Sequence, residues 1–156
     1  MVAASPDTAR SEFGTRMARL SIAWRQRIDV EFKRHGELTA SKWRPLVALA
    51  RLGDGVRQKD LAATLAIEGP SLVRLLDDLE SHGLIERRED PTDRRAKTIH
   101  LTAAGRAAYR RLKEIAGKFA ARTLAGISEE EFQVCVNVLD RIEARLNATD
   151  AVKVAS

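Results

Sequence analysis

Aromatic residues are scarce, at 4 % of the 156 positions, and there is a single cysteine, Cys135. One cysteine cannot close a disulfide within the chain or build a cysteine-rich zinc site, so a disulfide-stapled fold and a zinc finger are both excluded. Few aromatics alongside abundant Ala, Leu and Arg favour helices over a sheet sandwich. No apolar run approaches the roughly 18 residues of a membrane span. The opening stretch MVAASPDTARSEFG has no apolar segment of the secretory kind, and the expected compartment is the cytoplasm. Apolar residues still make up 44 %, enough for a core in one domain or two closely joined halves.

The residues of chemistry are also thin. His35, His82 and His100 are scattered without metal-ligand spacing. There is no glycine-rich phosphate loop and no nucleophile motif. Glu129, Glu130 and Glu131 stand where a helix start favours negative charge, which is a better reading than catalytic acids. An enzyme therefore has no residues to carry it, and no cofactor or metal is expected. What is present is base: Lys plus Arg number 27 against 22 Asp plus Glu, a net charge of +5. Such a surplus permits nucleic-acid binding without establishing it.

Residues 1–8 read as a flexible tail. From about Thr8 to Arg34, Phe13, Met17, Leu20, Trp24 and Ile28 fall at helical spacing. Leu38-Thr39 offers a break and an N-cap before a second helix with Trp43, Leu46, Val47 and Leu49, which ends at Gly53-Asp54-Gly55. Pro45 either kinks this helix or delays its start. A short helix, RQKDLAATLAI, precedes PSLVRLLDDLESHG, where Pro70 near the first position and Gly83 after the end mark helix limits. The periodicity then changes: LIERRE and AKTIHL are strand candidates joined by the charged turn DPTDRR, a hairpin. Thr102 caps a long helix, Gly126 interrupts it, and Ser128 with Glu131 forms a capping box for a last helix to about Leu146.

Two short helices joined by a tight turn and followed by a hairpin describe a winged helix-turn-helix, whose second helix enters the major groove. In that helix Leu72, Leu75, Leu76 and Leu79 form one apolar stripe, leaving Ser71 and Arg74 on the opposite side. A guanidinium there can reach guanine O6 and N7, and a hydroxyl a phosphate or base edge. Alone, this would be an amphipathic surface helix with a solvated arginine. The hairpin tip alters the balance, because Arg94, Arg95 and Lys97 gather on a protruding loop suited to a narrow minor groove. Asp93 beside them is costly near DNA unless it holds a neighbouring arginine in place.

The segment IEGPSLVRLLDDLESHGLIERREDPTDRRAKTIHLT resembles the DNA-binding half of the multiple-antibiotic-resistance regulator (MarR) family, in particular its SlyA-like branch. The likeness covers about Leu38 to Gly105, with LTASKW at its start. Its most specific parts are PSLVR, the HGLI join, and the DRRAK wing followed by LT-x-x-G. The resemblance implies that Ser71 and Arg74 contact DNA from the recognition helix, and that Arg94 enters the minor groove. It further implies that Asp93 and Arg95 pair within the wing, and that Arg57 and Gln58, starting the preceding helix, lie near phosphates. Lys97 joins this DNA-binding set. Arg44 departs from the apolar residue usual after that tryptophan.

The expected fold is therefore mainly α with a small β-hairpin: a winged helix-turn-helix lobe over 38–105, and a helical dimerisation region from 9–37 and 106–147. Residues 148–156 are read as a second flexible tail. Phe132, Cys135, Leu139, Ile142 and Leu146 form a heptad stripe. With Phe13, Met17 and Leu20 it would close a two-fold homodimer that presents two recognition helices to two half-sites; intrachain core is the other reading of this stripe. The expected function is a sequence-specific double-stranded DNA-binding transcriptional regulator, a repressor on a palindromic operator. The alternatives are a broad-specificity anti-silencing regulator and a protein-interaction module that reuses the fold. The family likeness also implies release by a small aromatic carboxylate, for which Trp24, Arg25, His35 and Trp43 supply an aromatic wall and cations.

Overall fold

Three helices occupy the N-terminal third: α1 (Pro6–Ser11), α2 (Phe13–Arg34) and α3 (Ala40–Leu52). The structure, a computed structural model, describes residues 6–36, 38–93 and 96–154. The expected tail over 1–8 thus ends in a helical turn, which Pro6 favours because its fixed φ suits a first helical position. α3 starts at Ala40 and continues through Pro45, so the proline does not delay it. The Thr39 carbonyl accepts the amides of Lys42 and Trp43, each at 2.9 Å. Pro45 forfeits one bond of the early turns and gains complete burial of its ring. Arg44 beside it is exposed, so a charge is tolerated at that position.

Gly53 and Gly55, at φ 96° and 81°, reverse the chain after α3. A strand β1 (Val56–Arg57) then precedes α4 (Gln58–Leu65) and α5 (Gly69–Ser81). Ala66 closes α4 in the left-handed region at φ 51°, and the resulting tight turn delivers the chain to α5. β2 (Ile85–Glu89) and β3 (Lys97–Leu101) form the expected hairpin. The sheet, however, is three-stranded and antiparallel, in the order β1-β3-β2, with Val56 opposite Ile99 and Ile85 opposite Leu101. Two residues carry no readable alternation, so β1 is set by its partner strand. Arg57, expected at a helix start, is therefore a strand residue, and Gln58 opens the helix.

α6 (Ala103–Thr123) and α7 (Glu129–Val154) complete the chain, which divides into two compact units, 1–119 and 120–156. In the first unit the core gathers Phe32, Leu46, Leu49, Leu61, Leu72, Leu76, Leu79, Ile85, Ile99 and Leu112, each at most 2 % exposed. Burying each such side chain contributes roughly 1.5–3 kcal/mol. In the second unit, Ser128 accepts the Glu131 amide at 3.2 Å and donates its own amide to Glu131 at 2.9 Å, the expected capping box. The Ser128 amide, and with it the Ser128 hydroxyl, which donates to the same carboxylate at 3.0 Å, hold the Glu131 carboxyl below its ordinary value. α7 extends to Val154, so helix runs through most of the segment read as a tail from 148. The reason is that 147–154, NATDAVKV, contains neither Gly nor Pro to stop it.

The start of α6 meets the end of α5 at a close joint. The Thr102 hydroxyl donates to the Gly83 carbonyl at 2.6 Å and accepts the Gly105 amide at 3.0 Å, while the Thr102 amide donates to the Leu84 carbonyl at 3.1 Å. A methyl group on Gly105 would overlap the Leu84 carbonyl oxygen. That obstacle is backbone and cannot rotate away. Gly105→Ala is therefore expected to destabilise the protein by about 1–3 kcal/mol, read as a lower midpoint in urea unfolding; an unchanged midpoint would count against this packing.

Candidate nucleic-acid interface

The recognition geometry begins with the rotation of α5. Leu72, Leu76 and Leu79 are fully buried, Leu75 is half-buried, and Ser71 and Arg74 are exposed on the other side. Arg74 makes no ion pair among the described residues, so its guanidinium is available to a ligand. Acids on the flank of α5 anchor the helix. Arg87 of β2 pairs with Asp77 and approaches Glu80 at 3.5 Å, and its amide donates to Glu80 at 3.0 Å. Lys42 of α3 reaches Asp78 at 3.3 Å and the His82 ring at 3.0 Å. These pairs hold α5 against the wing and against α3. None of them was legible as a function-bearing residue, because each partner lies in another element.

At the base of the wing, Arg57, Gln58, Asp93 and Lys97 are brought together around an open pocket of about 320 Å³, with Ala96 and Lys59 completing it. Four of the eight DNA-binding residues expected from the sequence thus share one site, and Lys59 is a cation that the sequence reading missed. Its signal was available, since Lys59 follows Gln58 in the first turn of the same helix. Ser71 and Arg74 form the separate exposed face on α5. Lys97 also lies 3.3 Å from Glu89 across the hairpin, an exposed pair that contributes little to stability. Arg94 and Arg95 lie outside the described residues. The Asp93 carbonyl accepts the Ala96 amide at 2.9 Å, and the Asp93 amide donates to the Asp90 carbonyl at 3.3 Å.

Arg57 has a second task. Its Nε donates to Asp90 at 2.7 Å, and its terminal nitrogen donates to the Thr92 hydroxyl at 3.0 Å. Asp90 is 5 % exposed and also accepts the Thr92 amide at 2.8 Å and hydroxyl at 2.6 Å. The wing is therefore fastened to the start of α4 through an inward-facing acid. The Thr92 hydroxyl and amide, and then the Arg57 guanidinium, hold the Asp90 carboxyl down at about 2.

The residues expected to hold a small anion are placed differently. The Trp24 ring meets the Phe119 ring edge-on at 4.9 Å, and Trp43 meets Phe32 at 5.3 Å. The Trp43 ring N–H donates to the Asp29 carboxylate at 2.5 Å, which puts an acid where an anion site needs a cation. Arg25 and His35 are exposed and bond the carbonyls of Ser21 and Glu31 one turn back in α2. Among the described residues no three His, Cys, Asp or Glu converge on a metal position, and no helix is long and apolar enough to cross a membrane. On the outer helices Phe13, Met17, Leu20, Phe132, Leu139 and Leu146 are between 38 % and 65 % exposed in the single chain. Cys135 is exposed too, and Ile142 half-exposed.

A model of the MarR family matches residues 37–96. Among solved structures, the transcriptional regulator PA3341 is 41 % identical, with 87 % of this chain and 98 % of that one covered and a TM-score of 0.76. A MarR-family transcriptional regulator from Silicibacter pomeroyi is 31 % identical over 83 % of this chain and 86 % of its own, at a TM-score of 0.68. A mutant of S. aureus MepR, bound to an oligodeoxyribonucleotide, is 27 % identical over 86 % and 97 %, at 0.56.

The Asp90 anchor can be tested by titration. Because its pKa when folded lies below the unfolded value of about 3.9, its contribution is whole above about pH 4 and is lost as pH falls through about 2. Carboxyl ¹³C NMR should show Asp90 titrating near that lower value, and Asp90→Asn should raise amide exchange at Ala96. An ordinary carboxylate titration would disprove the anchor.

Proposed function

The chain belongs to the MarR family of transcriptional regulators and has their winged helix-turn-helix fold; from that premise we propose that it binds double-stranded DNA as a homodimer and represses transcription from a palindromic operator. The observation that carries this reading is the face of α5. A buried leucine stripe turns Ser71 and Arg74 outward, with the Arg57, Gln58, Lys59 and Lys97 pocket at the wing base as a second contact region. Arg74 supplies direct readout of a base edge, while the wing-base cations neutralise phosphates and set register. Arg94 is assigned to the minor groove, and Asp93 and Arg95 to the pair that shapes the tip. The MepR complex with an oligodeoxyribonucleotide supports DNA as the ligand. A cytoplasmic, non-enzymatic regulator is consistent with these assignments.

The exposed apolar stripes of α2 and α7 support the dimer, since a single chain leaves Leu20 and Leu146 about two-thirds exposed. A charge placed there would be buried without a partner in the dimer. Leu139→Asp should therefore shift the protein from dimer to monomer, or unfold it, in sedimentation velocity with circular dichroism. A Leu139→Asp dimer with unchanged affinity between chains would contradict the interface.

DNA binding is tested by fluorescence anisotropy on duplexes from the intergenic DNA upstream of the protein's own reading frame. Arg74→Ala should lose about 1–3 kcal/mol on the preferred duplex and relax preference at one or two base pairs per half-site. Affinity should fall steeply with salt, with a log–log slope of about −0.9 per phosphate neutralised. Equal affinity for random duplex would favour the broad-specificity, SlyA-like anti-silencing role, and absence of duplex binding would favour a protein-interaction module. We also propose that a small aromatic carboxylate relieves DNA binding.

A further inference from the structure

Arg74 has two acids beside it on α5 and pairs with neither. Asp77 and Asp78 follow it by three and four residues, which places them about 60° and about 40° to either side of it around the helix. Side chains at those spacings are neighbours, with Cβ atoms roughly 5–6 Å apart, and an arginine there ordinarily pairs with a carboxylate. Arg74 is nonetheless exposed and without an ion pair among the described residues. Both carboxylates are taken by cations from other elements. Arg87 of β2 pairs with Asp77, and Lys42 of α3 lies 3.3 Å from Asp78. The side chains of these two cations are only 20 % and 21 % exposed, so they neutralise the acids without covering Arg74. His82 helps to hold Lys42 there. Its Nδ1 lies 2.7 Å from the Asp78 carbonyl, to which only an N–H donates, and its Nε2 is left to accept from Lys42 at 3.0 Å.

We propose that Arg87 and Lys42 are positioning residues for base readout: by occupying Asp77 and Asp78 they keep the Arg74 guanidinium unpaired and ready for a base edge. The proposal rests on the DNA-binding reading of α5. An arginine that is paired along its own helix must break that pair before it meets guanine, and the released carboxylate then faces the phosphates with its charge uncompensated. A helix with two acids one turn beyond its base-reading arginine therefore needs both acids neutralised from behind. β2 and α3 supply one cation each, so the wing and the first helix of the lobe both bear on the state of Arg74 without touching DNA at these residues.

A clamp that merely fixes α5 in place makes a different prediction. A clamp weakens when either partner is lost. Here, loss of the cation is harmful because it frees an acid, whereas loss of the acid is harmless. Asp77→Asn retains an oxygen that accepts from Arg87, so the tie to β2 persists in that variant while the charge is gone.

The test uses the full-length protein, the preferred intergenic duplex and a random duplex of equal length, with fluorescence anisotropy as the measurement. The readout is the ratio of the two affinities, to which phosphate contacts contribute alike. Arg87→Gln should lower this ratio about two- to fivefold. Asp77→Asn should leave it unchanged, and the double variant should restore it. In an Arg74→Ala background Arg87→Gln should have no further effect on the ratio. Lys42→Gln and Asp78→Asn should repeat the pattern, and they carry the test alone if circular dichroism shows Arg87→Gln unfolded. Without DNA, ¹H–¹⁵N spectra of the arginine side chains should show the Arg74 Nε–H exchanging more slowly with water in Arg87→Gln, and returning to the parent rate in the double variant. Asp77→Asn that lowers the ratio as far as Arg87→Gln would reduce the pair to a clamp and overturn the proposal. So would strictly additive effects of the two substitutions, which is what plain charge predicts, or an Arg74 signal indifferent to Arg87. Failure of the parent protein to bind any duplex would instead strike the DNA-binding reading, because the spectra report the state of Arg74 without it.

Discussion

The interface depends on the angle at which α5 is held about its own axis. Three leucines with no exposed surface, Leu72, Leu76 and Leu79, set that angle. Turning the helix by the 100° of one residue would expose part of the stripe, at roughly 1.5–3 kcal/mol per leucine. The outward direction of Ser71 and Arg74 is therefore a by-product of core packing. The same packing fixes where the helix sits, because Arg87 from the wing and Lys42 from α3 clamp its acidic flank from two directions.

The wing poses a different problem. On the DNA-binding proposal a loop tip needs cations outside, yet a loop of that length needs internal bonds to hold a shape. Asp90 answers both requirements by pointing inward. It accepts donors from Thr92 and Arg57, is nearly inaccessible, and so adds little negative charge to the outer surface. Arg57 thereby contributes both to shape and to the basic pocket beside Gln58 and Lys59. A residue read from sequence as a phosphate contact is thus also the fastening of the wing.

The outer helices follow a third logic. Several of their apolar residues are exposed in the single chain, and those positions recur along α7 at Phe132, Leu139 and Leu146. Meanwhile the tryptophans of α2 and α3 pack on the core of the first unit: Trp24 on Phe119, and Trp43 on Phe32 and Asp29. Tryptophans at helical spacing are as well explained by packing as by ligand recognition, and here their ring partners and the carboxylate at the indole N–H favour packing.

The sequence by itself determined the order of elements and the faces of the helices. Periodicity is a local property, so the leucine stripe of α5, the Thr102 cap, the Ser128 box and the hairpin could each be read within one short stretch of the chain. The outward set of Ser71 and Arg74 followed from the same stripe. Three things were decided only in the tertiary structure. β1 is two residues long and exists because β3 pairs with it. The Arg57–Asp90 anchor joins residues 33 apart in the chain, and the Lys42–His82 contact spans 40. The cations that occupy Asp77 and Asp78 come from β2 and α3. The physical reason is common to all three: hydrogen bonds, ion pairs and cavities between distant segments depend on where the whole core places them, and a local pattern carries no record of that placement.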